Sequence, residues 1–151
     1  IDGLTELPNL SSLDLGDCVS LRDIYVSANQ PTKMSTRTEI SLYQEKLSIM
    51  IALNNNDTKK LKKYKNKTNI DLSFCTGLIN VDGLLSFDKL SNLNLSKCPN
   101  IEPKPSRVHM TSRDQVVVFQ IKIMKKTKVK IPQSYIEIAS SIKKGKKRFY
   151  N

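Results

Sequence analysis

The side chains of this 151-residue chain best suited to a zinc site or to a Cys–His catalytic pair are three cysteines and one histidine. Cys18, Cys75 and Cys98 stand far apart without a C-x-x-C pair, and His109 has no Ser, Cys or carboxylate at a spacing typical of a catalytic triad. A structural zinc site needs four Cys or His ligands at close spacing, and the scattered glycines form no phosphate-binding loop. The sequence therefore predicts no metal, no cofactor, no small-molecule substrate and no enzyme activity.

Each cysteine is instead the last residue of a pattern of apolar residues that occurs three times. The copies are Leu10-x-x-Leu13-x-Leu15-x-x-Cys18, Ile70-x-Leu72-x-x-Cys75 and Leu90-x-x-Leu93-x-Leu95-x-x-Cys98. In Leu-x-Leu both leucines lie on one face of a short strand, because side chains alternate along it. One such unit cannot bury its apolar face alone, so the units are expected to stack around a shared core.

This pattern resembles the cysteine-containing leucine-rich repeat, in which Cys replaces the usual Asn after the strand. Cys75 and Cys98 are 23 residues apart, within the family's range of roughly 20–29. The resemblance implies a short α/β solenoid with inward-pointing cysteines and a protein as the partner. Similar repeats occur in F-box substrate receptors, plant immune receptors and effectors of intracellular bacteria, so an effector or substrate-recognition scaffold is expected. Unpaired thiols predict a reducing, intracellular compartment, reached by delivery into a host cell if the protein is an effector.

Spacing and composition divide the chain into four segments: leucine-rich repeats over 1–26 and 57–103, a helical insert over 27–56, and a basic cap or tail over 104–151. The first unit is expected to begin inside a repeat, because Ile1-Asp2-Gly3-Leu4 matches Val81-Asp82-Gly83-Leu84. In the insert, Ser35-Thr36-x-x-Glu39 predicts a helix start. This helix either extends the core or protrudes as an element that a partner grips.

The C-terminal segment carries the charge of the whole chain. Residues 104–151 hold thirteen Lys or Arg against two acidic residues, and so account for the net charge of +11. The β-branched run Val116-Val117-Val118 favours a strand, whereas Ser112-x-x-Gln115 and the spacing of Val117, Ile121 and Met124 favour a helix over 112–126. We favour the helix. A second amphipathic helix opens at Pro132, and the two would cap the last repeat.

Two functions follow, and they lie in different parts of the chain. The first is binding of a protein partner on the concave face, with Phe74 as apolar anchor and with Asp14, Asp71 and Asn94 as neighbours if the insert loops out. The predicted partner-binding residues are Asp14, Asp17, Asn69, Asp71, Phe74, Asn92, Asn94 and Lys97. The alternative is binding of a polyanion, either nucleic acid or an anionic membrane. Its predicted residues are Lys125, Lys126, Lys143, Lys144, Lys146, Lys147 and Arg148.

Overall fold

A computed structural model describes residues 2–16 and 33–150 of the protein, with the side chains of residues 3–16 and 33–145. The strands are β1 Leu13–Asp14, β2 Lys33–Met34, β3 Asn69–Asp71, β4 Asn92–Asn94 and β5 His109–Met110. The α-helices are α1 Arg37–Asn54, α2 Thr58–Leu61, α3 Arg113–Thr127 and α4 Gln133–Tyr150. Within these described ranges, three 3₁₀ helices span Asp2–Glu6, Lys62–Tyr64 and Asp82–Ser86. This mixture of helices and small sheets is compatible with the predicted α/β class.

The second and third units repeat in three dimensions with the 23-residue spacing of the sequence. Strands β3 and β4 are parallel, and Ile70 lies opposite Leu93. Both side chains are buried in the main core. The ladder continues past the strands, because the backbone N–H of Leu72 donates to the carbonyl of Asn94 at 2.9 Å. The two units therefore share one core and one continuous row of backbone hydrogen bonds.

Helix α1, which forms most of the insert, begins as the sequence predicts. The hydroxyl of Thr36 accepts a hydrogen bond from the Glu39 N–H at 3.2 Å, and the Glu39 carboxylate accepts one from the Ser35 N–H at 3.3 Å. Leu47 and Leu53, on its apolar face, are fully buried in the main core. Of the two interpretations of the insert, the structure thus shows the packed helix and not the protruding element.

Helix α1 lies between the first unit and the second. On one side Gln44 donates to the carbonyls of Leu4 and Leu7, at 2.7 and 2.9 Å. On the other side Asn54 donates to the carbonyl of Gly77 at 2.8 Å and accepts from the N–H of Ile79 at 2.9 Å. The side-chain amides of α1 thus form hydrogen bonds with backbone groups in both units.

This position of α1 corrects the expectation that Asp14, Asp71 and Asn94 are neighbours. Strand β1 pairs with β2, antiparallel, so that Asp14 lies opposite Lys33, and β3 pairs with β4 in a separate sheet. The prediction required the insert to loop out and let β1 and β3 pair. Instead α1 buries its apolar face between the units, and β2, from the insert, supplies the partner of β1.

The C-terminal segment closes the other end of the core. Strand β5 pairs antiparallel with β4, and α3 then covers the exposed end. The hydroxyl of Ser112 accepts from the Gln115 N–H at 3.3 Å, which confirms the predicted helix start. Helix α3 is apolar on two faces: Val116 and Phe119 join the main core, whereas Val117 is buried outside that core, in a helix that α4 contacts. Burial on both faces explains why a β-branched run forms a helix here.

Candidate protein-binding face

The outward side chains of β3, β4 and β5 form one polar surface, which we call the ladder face. Its members are Asn69, Asp71, Asn92, Asn94 and His109. Each of the five is exposed or partly exposed, while the residues between them on the strands are buried. Asn94 lies opposite both Asp71 and His109, and a His109 ring nitrogen lies 3.3 Å from the Asn92 side-chain oxygen. The structure therefore brings together four of the predicted partner-binding residues and adds His109.

Three of the predicted partner-binding residues also hold the turn that follows their own strand. The side-chain oxygen of Asp71 accepts from the Ser73 N–H at 2.9 Å, and that of Asn94 accepts from the Ser96 N–H at 3.0 Å. Asp14 accepts from the Gly16 N–H in the same way, at 2.9 Å. These are Asx turns. Their sequence signal, an Asp or Asn two residues before Gly or Ser, is present in all three units and was missed.

Asp71 receives a cation from the insert, which the sequence did not predict. The ammonium group of Lys46, on α1, lies 3.8 Å from the Asp71 carboxylate and donates to the Ser73 carbonyl at 3.1 Å. Burial alone would raise the pKa of Asp71, but hydrogen bonds from Ser73 and the charges of Lys46 and His109 outweigh it and hold this pKa below its usual value. Asp71 is therefore ionised at neutral pH with its charge balanced by Lys46.

The predicted anchor Phe74 and its equivalent Lys97 occupy the turn beside the ladder face. Both have left-handed backbone conformations, with φ of 63° and 59°, and the Phe74 N–H donates to the Ser96 carbonyl at 2.8 Å. Phe74 is only partly exposed, whereas Lys97 is exposed. Asp17, also predicted for this surface, lies outside the described residues.

The cysteines of the second and third units are buried free thiols. The Cys98 thiol donates to the Leu72 carbonyl at 3.0 Å, which ties the third unit to the second. Burial, with a smaller effect of the neighbouring Cys98, raises the pKa of Cys75 to about 12. Both thiols therefore act as small apolar side chains. Cys18 lies outside the described residues. Within the described part of the chain, no group of three or more His, Cys, Asp or Glu side chains could hold a metal ion.

The residues predicted to bind polyanions lie in two places: at the end of α3, and in the C-terminal half of α4. Lys125 and Lys126 are in the last turn of α3, and the Lys126 ammonium group donates to the Glu102 carbonyl at 2.9 Å. Lys143 and Lys144 are exposed on α4, about 15 Å along the helix from its first residue at 1.5 Å per residue. Lys146, Lys147 and Arg148 follow on the same helix, and their side chains lie outside the described part. Of the residues whose side chains are described, Lys125 and Lys126 thus lie apart from Lys143 and Lys144.

Among residues 2–16 and 33–150, none of the helices combines the length and the apolar character needed to cross a bilayer. Comparison of the chain with protein-family models, with curated proteins and with solved structures finds no significant match. What the protein does is therefore inferred from its own residues.

Proposed function

We propose that this chain is a short module of the leucine-rich-repeat type that binds another protein through the ladder face. The observation that carries the proposal is the register of two successive units, in which Asn69 lies opposite Asn92 and Asp71 lies opposite Asn94. Repeated units place equivalent side chains on neighbouring strands, about 4.8 Å apart. Such a row offers closely spaced donors and acceptors on one surface, which is how stacked repeats build a binding face.

The ladder face is held in place before any partner arrives. The Asx turns of Asp71 and Asn94 fix the ends of the strands, and β5 covers one edge of β4. Side chains that are already ordered lose less entropy on binding. The polar side chains can therefore contribute to affinity without a large ordering cost.

The chemistry of the face favours a polar protein surface over a strongly charged one. The Asp71 charge is balanced by Lys46, and the three asparagine side chains offer both donors and acceptors. We expect the affinity for the partner to change little with salt, because exposed charges supply little of the binding. The buried free thiols of Cys75 and Cys98 support a reducing, intracellular site of action. A role as an effector or substrate-recognition scaffold fits these features.

The test introduces a charge on the ladder face at a residue whose side chain does not hold a turn. Asn69 suits it, because its side chain is exposed; Asp71 and Asn94 do not, because replacing them would also remove a turn. Asn69→Arg is therefore compared with Asn66→Arg, an equal change at an exposed residue in the turn before β3. Wild type and both variants are used for affinity capture from a eukaryotic lysate at about 150 mM salt, and the captured protein is then titrated in purified form.

We expect one discrete protein to be captured by the wild type and by Asn66→Arg. Its affinity for Asn69→Arg should fall at least about tenfold, because the partner would have to bury an unpaired charge. Equal affinities of the two variants for that protein would overturn the proposal. Loss of the partner by Asn66→Arg alone would overturn it as well.

A further inference from the structure

The turn between α3 and α4 exposes apolar side chains among lysines. We call residues 125–132 the hairpin tip. Lys125, Lys126, Lys128 and Lys130 are all exposed there. Val129 lies between two of them and is 48% exposed, and Ile136, in the first turn of α4, is 43% exposed. Within the tip, Val129 thus places apolar surface next to positive charge, and Ile136 follows four residues after its end.

The backbone of the hairpin tip is fixed by hydrogen bonds. Lys128 has the left-handed conformation (φ 58°, ψ 33°), and its N–H donates to the Met124 carbonyl. The Val129 N–H donates to the same carbonyl at 2.9 Å. This closure is a common helix C-cap. It places Val129 outside the helix on an ordered turn.

The hairpin that carries the tip is strongly basic in sequence. From Arg113 to Arg148 the sequence has eleven basic residues against Asp114 and Glu137, and none of residues 115–136 is acidic. The Lys126 ammonium group already donates a hydrogen bond to the backbone carbonyl of Glu102. Lys128 and Lys130 flank Val129 directly, and Lys125 lies four residues before it; all three are exposed.

We propose that the hairpin tip docks on an anionic lipid surface. Its lysines would face the headgroups, while Val129 and Ile136 would enter the boundary between headgroups and acyl chains, as the apolar side chains of interfacial elements do. Clustered lysines are attracted to the negative potential of anionic leaflets. This surface is distinct from the ladder face, so the two activities can be tested separately.

A nucleic acid fits the same tip less well. An exposed Val129 gains nothing against a phosphate backbone, and lysines lack the planar fork with which arginine reads guanine. Binding of single strands also favours aromatic stacking platforms. Among residues 113–145 the aromatic side chains are Phe119, which is buried, and Tyr135, whose hydroxyl accepts from Arg113 at 2.8 Å.

The proposal is tested by co-sedimentation of the full chain with phosphatidylcholine vesicles that contain or lack phosphatidylserine, at about 150 mM salt. The tip variant replaces three lysines with glutamine, and the control variant removes the same charge from exposed lysines around α2. The tip variant carries Lys125→Gln, Lys128→Gln and Lys130→Gln, and the control variant carries Lys59→Gln, Lys60→Gln and Lys63→Gln.

We expect binding only to vesicles that contain phosphatidylserine. Each lysine near such a surface contributes about a fivefold change in affinity, so the tip variant should bind on the order of 100-fold more weakly. The control variant should change by less than about threefold, because its lysines act only at long range. Equal losses in the two variants would show attraction by net charge alone and overturn the proposal.

A third variant, Val129→Asn, tests the apolar part of the contact. It leaves the charge unchanged and should weaken vesicle binding several-fold, and the loss should persist at high salt because burial of apolar surface is not screened. Unchanged vesicle binding by Val129→Asn would overturn the proposal. So would tighter binding of the wild type to a single-stranded RNA than to anionic vesicles. Circular dichroism of each variant checks that the fold is retained.

Discussion

Adding one methyl group at Gly83 should lower the stability of the protein, whereas the same change at the equivalent Gly3 should not. A Cβ at this residue would lie 2.6 Å from the Leu61 Cδ1 and 2.9 Å from the Leu53 Cδ2. Carbon atoms pack comfortably at about 3.5–4.0 Å. Both leucines are almost completely buried, so the end of each side chain would have to move by up to about 1 Å.

The expected cost follows from two opposing effects. Overpacking a core by one methyl group costs about 1–3 kcal/mol, whereas replacing Gly by Ala stabilises by about 0.4–1 kcal/mol through the unfolded chain. We therefore expect Gly83→Ala to lower the free energy of unfolding by up to about 2.6 kcal/mol, with a midpoint of about 1.3 kcal/mol. Gly3 is the control, because it occupies the same place in the first unit and an added Cβ there meets nothing within 4 Å in the described part of the chain. Gly3→Ala should be stabilising by about 0.4–1 kcal/mol.

The assay is urea unfolding followed by far-ultraviolet circular dichroism, with the free energy of unfolding taken by linear extrapolation. The slope with urea should be the same for the wild type and both variants, since the surface exposed on unfolding is unchanged. If Gly83→Ala raised stability as much as Gly3→Ala does, or if the two substitutions lowered stability equally, the close approach of Leu61 and Leu53 to Gly83 would not be the reason for glycine.

Three further outcomes follow from the buried and capping groups. In a Cys18→Ser background, Cys75 and Cys98 should not react with Ellman's reagent at pH 8, where about a quarter of exposed thiols are thiolates. They should react once urea unfolds the chain. Reaction in the native state would contradict their burial. The pKa of Asp71 is below the usual value of 3.8, so its ionised form contributes stability above that pH which is lost as the pH falls through the lower native value. Between neutral pH and a pH below 3.8, the free energy of unfolding in urea should therefore fall less for Asp71→Asn than for the wild type. Equal losses would contradict the lowered pKa of Asp71. Ser112→Ala should lower the free energy of unfolding by about 0.5–2 kcal/mol through loss of the α3 cap, whereas Ser112→Asp should restore it.

Features set by neighbouring residues could be predicted from the sequence. The starts of α1 and α3 depend on side chains three residues apart, Thr36 with Glu39 and Ser112 with Gln115. The parallel register of β3 and β4 follows from the spacing of Cys75 and Cys98, because equal units stack with equal positions side by side. Local hydrogen bonds and repeat length are both written directly in the chain.

Features set by contacts between distant segments could not be predicted. The pairing of β1 with β2 involves two residues on each side, too few for a strand pattern to be seen. The contact of Lys46 with Asp71 depends on where α1 packs. Alternation along a strand gives the direction of a side chain but not the group that its oxygen reaches, so the turn-forming role of Asp71 and Asn94 was not recognised.

The position of α1 also sets the size of the surface that a partner can use. With β1 outside the sheet, the ladder face is three strands wide, about 10 Å at 4.8 Å per strand spacing, and each strand contributes at most three residues. A stable interface buries about 800 Å² on each partner, which such a narrow strip cannot supply alone. The rest of the footprint must come from its borders: the turns of Phe74 and Lys97 on one side, and α1, which already contributes Lys46. The insert that interrupts the repeat is therefore part of the proposed binding surface, since it supplies area that the missing strand would otherwise have given.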